Sequence, residues 1–425
     1  MTGFFHTSHD LVCDGVSLSA LAEAEGTPAY VYSAATVRAR YRAIDAAFGD
    51  YPHALHYALK ANSTLAIARV ISTLGGGADA NSIWEVDLAR RAGFAASDII
   101  FTGVGKAPAE LERGVSLGLK AINVESAGEL ARIETIAGRI GCVARVAIRI
   151  NPDIDANSHP HISTGLRASK FGVPLDVARE LLAAIGRRPA LKLVAIHAHI
   201  GSQVTTLEPL RRAAALLARV GAELQRAGTS LEYLDLGGGL GISYDGGDVP
   251  SPLEYGTALV DEVRATGLPI VIEPGRVIVG PAAVLLARVI DIKPRDAHSQ
   301  FAVIDAGMTE LMRPALYNAF HRIDPVRPAA AARERYEIVG PVCESGDVVG
   351  RDRVLPRLAV GDLVAIRDAG AYGSAMASNY NRRPLPAEVM VDDGGWRVIR
   401  RRQTIDDLLA FESDTGNEPP VSDVR

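Results

Sequence analysis

Short apolar runs recur along the first two thirds of the chain at intervals of roughly 20 to 45 residues, each followed by an Ala/Leu/Arg/Glu-rich stretch of helical periodicity. The runs are ALHYALK (54–60), GGADA (76–80), IIFTG (99–103), AINVE (121–125), VAIRIN (146–151), AIHAHIG (195–201), YLDLGGG (233–239) and IVIEPG (270–275). Strands buried on both faces read as continuous rather than alternating apolar segments, so this pattern predicts repeated βα units around a parallel sheet. Eight units over about 225 residues match the size of a (β/α)8 barrel, whose chemistry collects at the C-terminal ends of the strands. A doubly wound open sheet is compatible with the same periodicity. In the barrel, Lys60, Asp79, Arg149, His199, Gly237 to Gly239 and Glu273, all at run ends, would converge on one rim.

After Pro281 the long helical stretches stop, and AVLLARVIDIK, FAVIDAG, YEIVGPVCE, LVAIRDAGAY and AEVMVD read as strands of a second, all-β unit. The expected class is therefore α/β plus all-β: a TIM-like barrel at 31–280 and a C-terminal β-sandwich or β-barrel domain at 281–412. Residues 1–30 are expected to pack with the β domain. The polar, aperiodic residues 413–425 are expected to form a flexible tail.

Composition narrows the partners. A chain of 425 residues is too long for one ordinary core, in keeping with two units. A net charge of -5, without clusters of Lys and Arg among aromatics, offers no field for a polyanion, so no nucleic acid is expected. The N-terminus lacks a basic, then apolar, leader, and no apolar stretch is long enough for a membrane span; a cytoplasmic location is expected. Cys13, Cys142 and Cys343 show no CxxC and no metal-ligand spacing, so they are expected to be free thiols with no metal.

Several residues suit cofactor chemistry. Lys60 in YALKAN is either a solvated strand-end charge or a Schiff-base lysine, activated by desolvation and cationic neighbours. LDLGGGLG places Gly237, Gly238 and Gly239 after a strand, where backbone N–H groups could cradle a phosphate; no GxxxxGK[ST] accompanies them. Glu273 in VIEPGR could keep a pyridine nitrogen protonated, and His199 could stack on a planar ring or be a core histidine. PVCESGD gathers Cys343, Glu344 and Asp347: a thiol of ordinary pKa about 8.5 suits proton donation, and the carboxylates suit a substrate ammonium. Tyr372 in DAGAYG could reach a phosphate with its hydroxyl.

Taken in order, YALKAN, HAHIGSQ, LDLGGGLG, EPGR, MRPALY, CESGD and GAYGSAMASNYN resemble the motif series of the fold-type III pyridoxal 5'-phosphate (PLP) decarboxylases, from about Tyr30 to Leu409. Within that group HPHISTG with KFG, and MRPALY with CESGD, are most similar to the diaminopimelate decarboxylase family. The resemblance implies an alanine-racemase-like barrel, a homodimer with shared active sites, and conversion of meso-diaminopimelate to L-lysine and CO2. It further implies that Lys60 forms the Schiff base, that His199 stacks on the ring, and that Asp79, Ser202, Gly238, Gly239, Glu273, Gly275, Arg276 and Tyr372 bind the cofactor. By the same resemblance Arg276, Arg313, Tyr317, Glu344 and Tyr372 contact substrate. Cys343 of the partner subunit is the implied proton donor, and Asp79 and Glu85 support His199 and Lys60. A decarboxylase for D-ornithine or D-lysine has no need of the MRPALY clamp for a distal carboxylate, and a racemase is disfavoured by Glu273. A catalytically silent homologue is the reading from another class; retention of both Lys60 and Cys343 weighs against it.

Overall fold

Eight parallel strands close on themselves in the computed structural model, which describes residues 2–155, 164–166, 169–328 and 332–412. They are β1 (His53–Ala58), β2 (Gly77–Ala80), β3 (Ile99–Phe101), β4 (Ala121–Val124), β5 (Ala144–Asn151), β6 (Leu191–His197), β7 (Tyr233–Asp235) and β8 (Ile270–Ile272). Each pairs with the next, and β8 pairs back to β1 in the register Ile270↔His53, Val271↔Ala54, Ile272↔Leu55. That last pairing decides for the barrel, because an open sheet leaves its first and last strands unpaired. Ile100, Ala121, Ala147, Ala195, Tyr233 and Val271, one from each of six strands, form a cluster of their own that fills the barrel interior.

The eighth helix departs from the expected repeat. Only a single turn, Arg276–Val279, follows β8. The helix Ala34–Ala46, which precedes the barrel in sequence, packs against Leu65–Thr73 and Pro252–Val263 and so closes the helical ring.

At the end of the barrel away from the strand C-termini, Glu232 ties three strands together. Arg145 donates from β5 at 3.0 and 2.5 Å, and the Lys192 ammonium of β6 lies 2.8 Å away. The hydrogen bonds from Arg145, aided by Lys192, pull the Glu232 carboxyl down to about 2. A carboxyl depressed by folding adds stability above its unfolded pKa and loses it as pH falls through the folded one. Glu232→Gln is therefore expected to lower stability at pH 7 by about 1 kcal/mol, discounted for exposure. In urea unfolding the gap from the unaltered protein should close between pH about 4.5 and about 2; a gap independent of pH would exclude the charge as its source.

Phe4–His6, Leu11–Cys13 and Val16–Ser17 form a small antiparallel sheet, and Val173–Pro174 pairs with β5. The other strands form a mixed sheet around the long strand Ala283–Pro294, which pairs with Gln300–Ile304, Leu363–Ile366 and Ala29–Ser33. Ala29–Ser33 in turn pairs in parallel with Ala387–Asp392. Leu11, Cys13, Leu18 and Leu21 share a core with Val284, Leu286 and Val389 of the sheet. Among the described residues, no helix is long and apolar enough to cross a membrane. The three cysteines are free thiols. Residues 413–425, and 159–163 of HPHISTG, lie outside the described residues.

Candidate active site

The register Ala58↔Asp79 between β1 and β2 sets the two strand ends side by side. Lys60 follows in the tight turn Leu59–Ala61, and its Nζ donates to Asp79 Oδ2 at 3.0 Å. Burial works against the Lys60 ammonium, but Asp79 and then Glu273 outweigh it and hold the amine above the ordinary lysine value. This corrects the expectation of an amine activated by desolvation and cationic neighbours. Its neighbours are carboxylates, and they favour a cationic nitrogen at this position.

Glu273 leaves β8 fully buried, with Oε2 3.4 Å from His197 Nε2 at the end of β6. Asp235, at the end of β7, completes a trio in which one side-chain N or O atom from each residue lies within 4.8 Å of the other two. Burial pushes the Glu273 carboxyl up, yet His197, with Lys60 and Arg149 behind it, draws it down to about 2. Burial and then Glu273 push Asp235 the other way, well above the carboxylate range. The two neighbouring acids are thus driven in opposite directions, Glu273 toward the ionised form. Glu273 Oε1 has no hydrogen-bond partner among the described residues.

The glycines after β7 serve mainly as space. A Cβ on Gly238 would sit 2.1 Å from the Glu273 carbonyl oxygen, so only glycine lets this loop cross the end of β8. The Gly237 N–H donates to Asp235 Oδ1 at 3.1 Å and the Gly238 N–H to His199 Nδ1 at 3.1 Å. The expectation of three free donors is corrected: of the three, only Gly239 keeps an N–H with no acceptor among the described residues. By accepting at Nδ1, His199 carries its proton on Nε2. Burial, then Lys60 and Arg149, keep it neutral.

Arg276 donates to Ser202 Oγ at 2.9 Å and to Tyr244 Oη at 2.7 Å, and its guanidinium lies 4.8 Å from the Tyr372 ring centroid. The Tyr372 N–H donates to Ala61 O at 2.8 Å, which docks this loop of the β unit on the turn that carries Lys60. Lys60, His199, Ser202, Arg313, Tyr317 and Tyr372 line a cavity of about 560 Å³. A narrow recess of about 20 Å³ continues from it past Gly238, Gly239, Glu273 and Gly275. Arg313 opens the short helix Arg313–Tyr317. Arg276 and Arg313 are each 5% exposed, and neither pairs with a carboxylate among the described residues.

Some expected residues stand elsewhere. Cys343 and Glu344 are exposed and do not line the cavity of their own chain. Asp347, read as a partner for a substrate ammonium, is buried and accepts the backbone N–H groups of Met308 at 2.6 Å and Val342 at 2.8 Å. Both of its oxygens tie its loop to the backbone of Val342 and of the separate loop at Met308. Glu85 accepts the Asn81 N–H at 2.6 Å and acts on the turn after Asp79 rather than on Lys60 or His199 directly. His197, Asp235 and Tyr244 were not anticipated. The repeat of His at positions 197 and 199 was the available signal, since a spacing of two puts both on one face of a strand.

The pyridoxal-binding domain model of the pyridoxal-dependent decarboxylases matches residues 34–280. Diaminopimelate decarboxylase of Pseudomonas aeruginosa is 43% identical over 413 residues, covering 97% of this chain and 99% of the relative. The Vibrio cholerae enzyme of that name is 44% identical, covering 96% and 99%. The chain belongs to the diaminopimelate decarboxylase family of pyridoxal-dependent decarboxylases. The crystal structure of diaminopimelate decarboxylase from Helicobacter pylori complexed with L-lysine superposes with a TM-score of 0.90 at 40% identity, covering 93% of this chain and 98% of that one. For the M. jannaschii enzyme in co-complex with L-lysine the TM-score is 0.92 at 35% identity, with 97% and 99% covered.

The residues present fit the cofactor of this family, PLP. A ring nitrogen that must carry a proton finds an ionised, unsatisfied Glu273 oxygen, and a phosphate finds the unpaired Gly239 N–H. Lys60 supplies the amine.

Proposed function

We propose that the chain removes the carboxylate from the D-configured carbon of meso-diaminopimelate, releasing CO2 and L-lysine. The observation that carries this reading is the pair of buried guanidinium groups, Arg276 and Arg313, with no carboxylate partner among the described residues. Burying a charge without a counter-charge is costly, so a ligand of this cavity is expected to bring anionic groups. With a cofactor phosphate beside Arg276, the distal carboxylate of a diacid amine supplies the anion for Arg313; lysine or ornithine decarboxylated at its only carboxylate-bearing carbon has none to offer there.

In this reading Lys60 would hold the cofactor covalently, with Asp79 positioning its nitrogen, and His199 would contact the ring. Ser202, Gly238, Gly239, Gly275, Arg276 and Tyr372 would hold its phosphate end. When bound, PLP supplies a conjugated ring that accepts the electron pair left by departing CO2. Glu273, kept ionised by His197, holds a proton at the ring nitrogen. Arg276, Arg313, Tyr317 and Tyr372 receive substrate. The test is to incubate purified protein and PLP with meso-diaminopimelate, using D-lysine as comparison, and assay CO2 and L-lysine. Absence of L-lysine would remove the assignment.

Cys343 of the partner subunit is proposed to return a proton to the reacting carbon, with the partner subunit's Glu344 holding a substrate ammonium. This makes the functional unit a homodimer, acting in the cytoplasm. The barrel, 31–280, carries all of these cofactor residues but Tyr372; the β unit, 281–412, with 1–30 packed on it, carries Tyr372, Arg313 and Cys343. Exposure of Cys343 and Glu344 away from their own cavity supports the shared site. Co-expressed Lys60→Ala and Cys343→Ala chains are expected to regain activity, because about half the sites in each mixed dimer then hold both native residues. Verified mixed dimers without recovery, where each parent is inactive, would show that the site is not shared.

A further inference from the structure

Arg313 is held by two groups that carry no negative charge. Its Nη1 donates to His321 Nε2 at 2.6 Å, and its guanidinium lies 4.5 Å from the centroid of the Tyr244 ring. His321 Nδ1 lies 2.7 Å from the Arg367 carbonyl oxygen. A carbonyl only accepts, so Nδ1 carries the hydrogen and Nε2 presents the lone pair that Arg313 uses. Burial, then Arg313, hold the His321 imidazole down to about 3, which keeps that lone pair free across the physiological range. The Tyr244 ring meets the His321 ring edge-on at 5.0 Å, while its hydroxyl accepts from Arg276.

The anchor behind this arrangement is the sheet. Arg367 directly follows the strand Leu363–Ile366, which pairs with Ile323–Pro325, and its Nε donates to Asp324 at 2.7 Å. Rigidity therefore passes from two paired strands through the Arg367 carbonyl and His321 to Arg313. Orientation matters here because a guanidinium recognises a carboxylate through a planar fork of N–H groups, and a few tens of degrees of rotation lose one of the two bonds. A carboxylate in place of His321 would also fix Arg313 but would neutralise it. A neutral imidazole fixes the fork and leaves its charge to the ligand.

We propose that His321 and Tyr244 are positioning residues for substrate selection: together they orient Arg313 so that it receives the distal carboxylate of the diacid. The inference rests on the reading that Arg313 takes that carboxylate. The experiment uses PLP-loaded enzyme carrying His321→Leu, His321→Gln, Tyr244→Leu, Tyr244→Phe or Arg313→Ala, with steady-state kinetics on meso-diaminopimelate and D-lysine and calorimetric titration of L-lysine.

His321→Leu is expected to raise KM for meso-diaminopimelate and the Kd for L-lysine each by about tenfold, the loss of one charge-assisted hydrogen bond, with kcat and the D-lysine constants within about twofold. Gln can accept from Arg313 and donate to the Arg367 carbonyl, so His321→Gln should recover most of the loss. Tyr244→Leu removes the ring face beside Arg313 and should give the same diacid-selective defect, which covers the case of a His321→Leu protein that does not fold, while Tyr244→Phe, which loses only the hydroxyl that Arg276 uses, should keep the selectivity. Unchanged L-lysine affinity in both Leu variants, equal losses on the two substrates, or a Gln variant no better than Leu would overturn the proposal. If Arg313→Ala is selective against the diacid while the Leu variants are not, the positioning role falls and the reading of Arg313 stands. If Arg313→Ala is itself unselective, both fall.

Discussion

Replacing Lys60 with Ala is expected to abolish turnover, lowering kcat on the order of a thousandfold or more, and to prevent covalent retention of PLP. The expectation follows from the absence of a substitute amine in the cavity. Lys106 also lines it, but its ammonium is buried against Glu129 at 2.9 Å and donates to the carbonyls of Gly103 and Asn123 at 2.5 and 2.9 Å. Freeing Lys106 would strand the Glu129 carboxylate in the barrel wall, a cost of several kcal/mol. Lys60, by contrast, donates among the described residues to Asp79 alone, which suits a cationic nitrogen whether or not it carries a substituent. The measurement is the visible absorbance of the purified variant after PLP is added and excess removed. A cofactor band identical to that of the unaltered protein would rule Lys60 out as the attachment point.

The barrel was readable from sequence because its strands are buried on both faces, and eight apolar runs with polar ends are what such burial demands. The same logic explains what was missed. The strands Val348–Pro356 and Gly395–Arg400 were not anticipated, and they are the two edges of the mixed sheet. An edge strand buries little and is protected by charge, so Arg351, Asp352, Arg353 and Arg397 erase the apolar signal. The helix Ala34–Ala46 precedes the first strand of the repeat, and its place as the closing member of the ring could not be read, because nothing local records that the chain passes through the other sheet first.

Strand-end position located Lys60, Asp79, His199 and Glu273, and the geometry brings all four together in one mouth. What sequence could not carry was the sharing of charge among them. His197 draws the Glu273 carboxyl down while burial and Glu273 push Asp235 up, opposite directions that depend on one atom from each residue meeting within 4.8 Å at the ends of β6, β7 and β8. Tyr244 and His321 were invisible for a similar reason: each lies in a loop distant in sequence from Arg313 or unmarked by motif, and only the fold stacks them around it.

Arg313→Ala is expected to cut kcat/KM for meso-diaminopimelate by about thirtyfold or more while leaving PLP bound. The distal end of the substrate presents a carboxylate and an ammonium on one L-configured carbon. Arg313, buried and without a carboxylate partner among the described residues, offers the matching positive charge. Removing one partner of a buried, charged hydrogen bond costs about 2 to 5 kcal/mol, much of it the penalty of leaving the other charge desolvated. At roughly tenfold per 1.4 kcal/mol, even the lower end of that range exceeds a factor of about twenty-five. PLP retention should persist because Arg313 does not line the recess that holds Gly239 and Glu273. D-lysine lacks the distal carboxylate, so its kcat/KM should fall far less, and the gap between the two substrates isolates the interaction from any general loosening of the site. Equal losses on both substrates, or none on the diacid, would show that Arg313 does not read the distal carboxylate. The specificity of the cavity would then reduce to that for a generic basic amino acid.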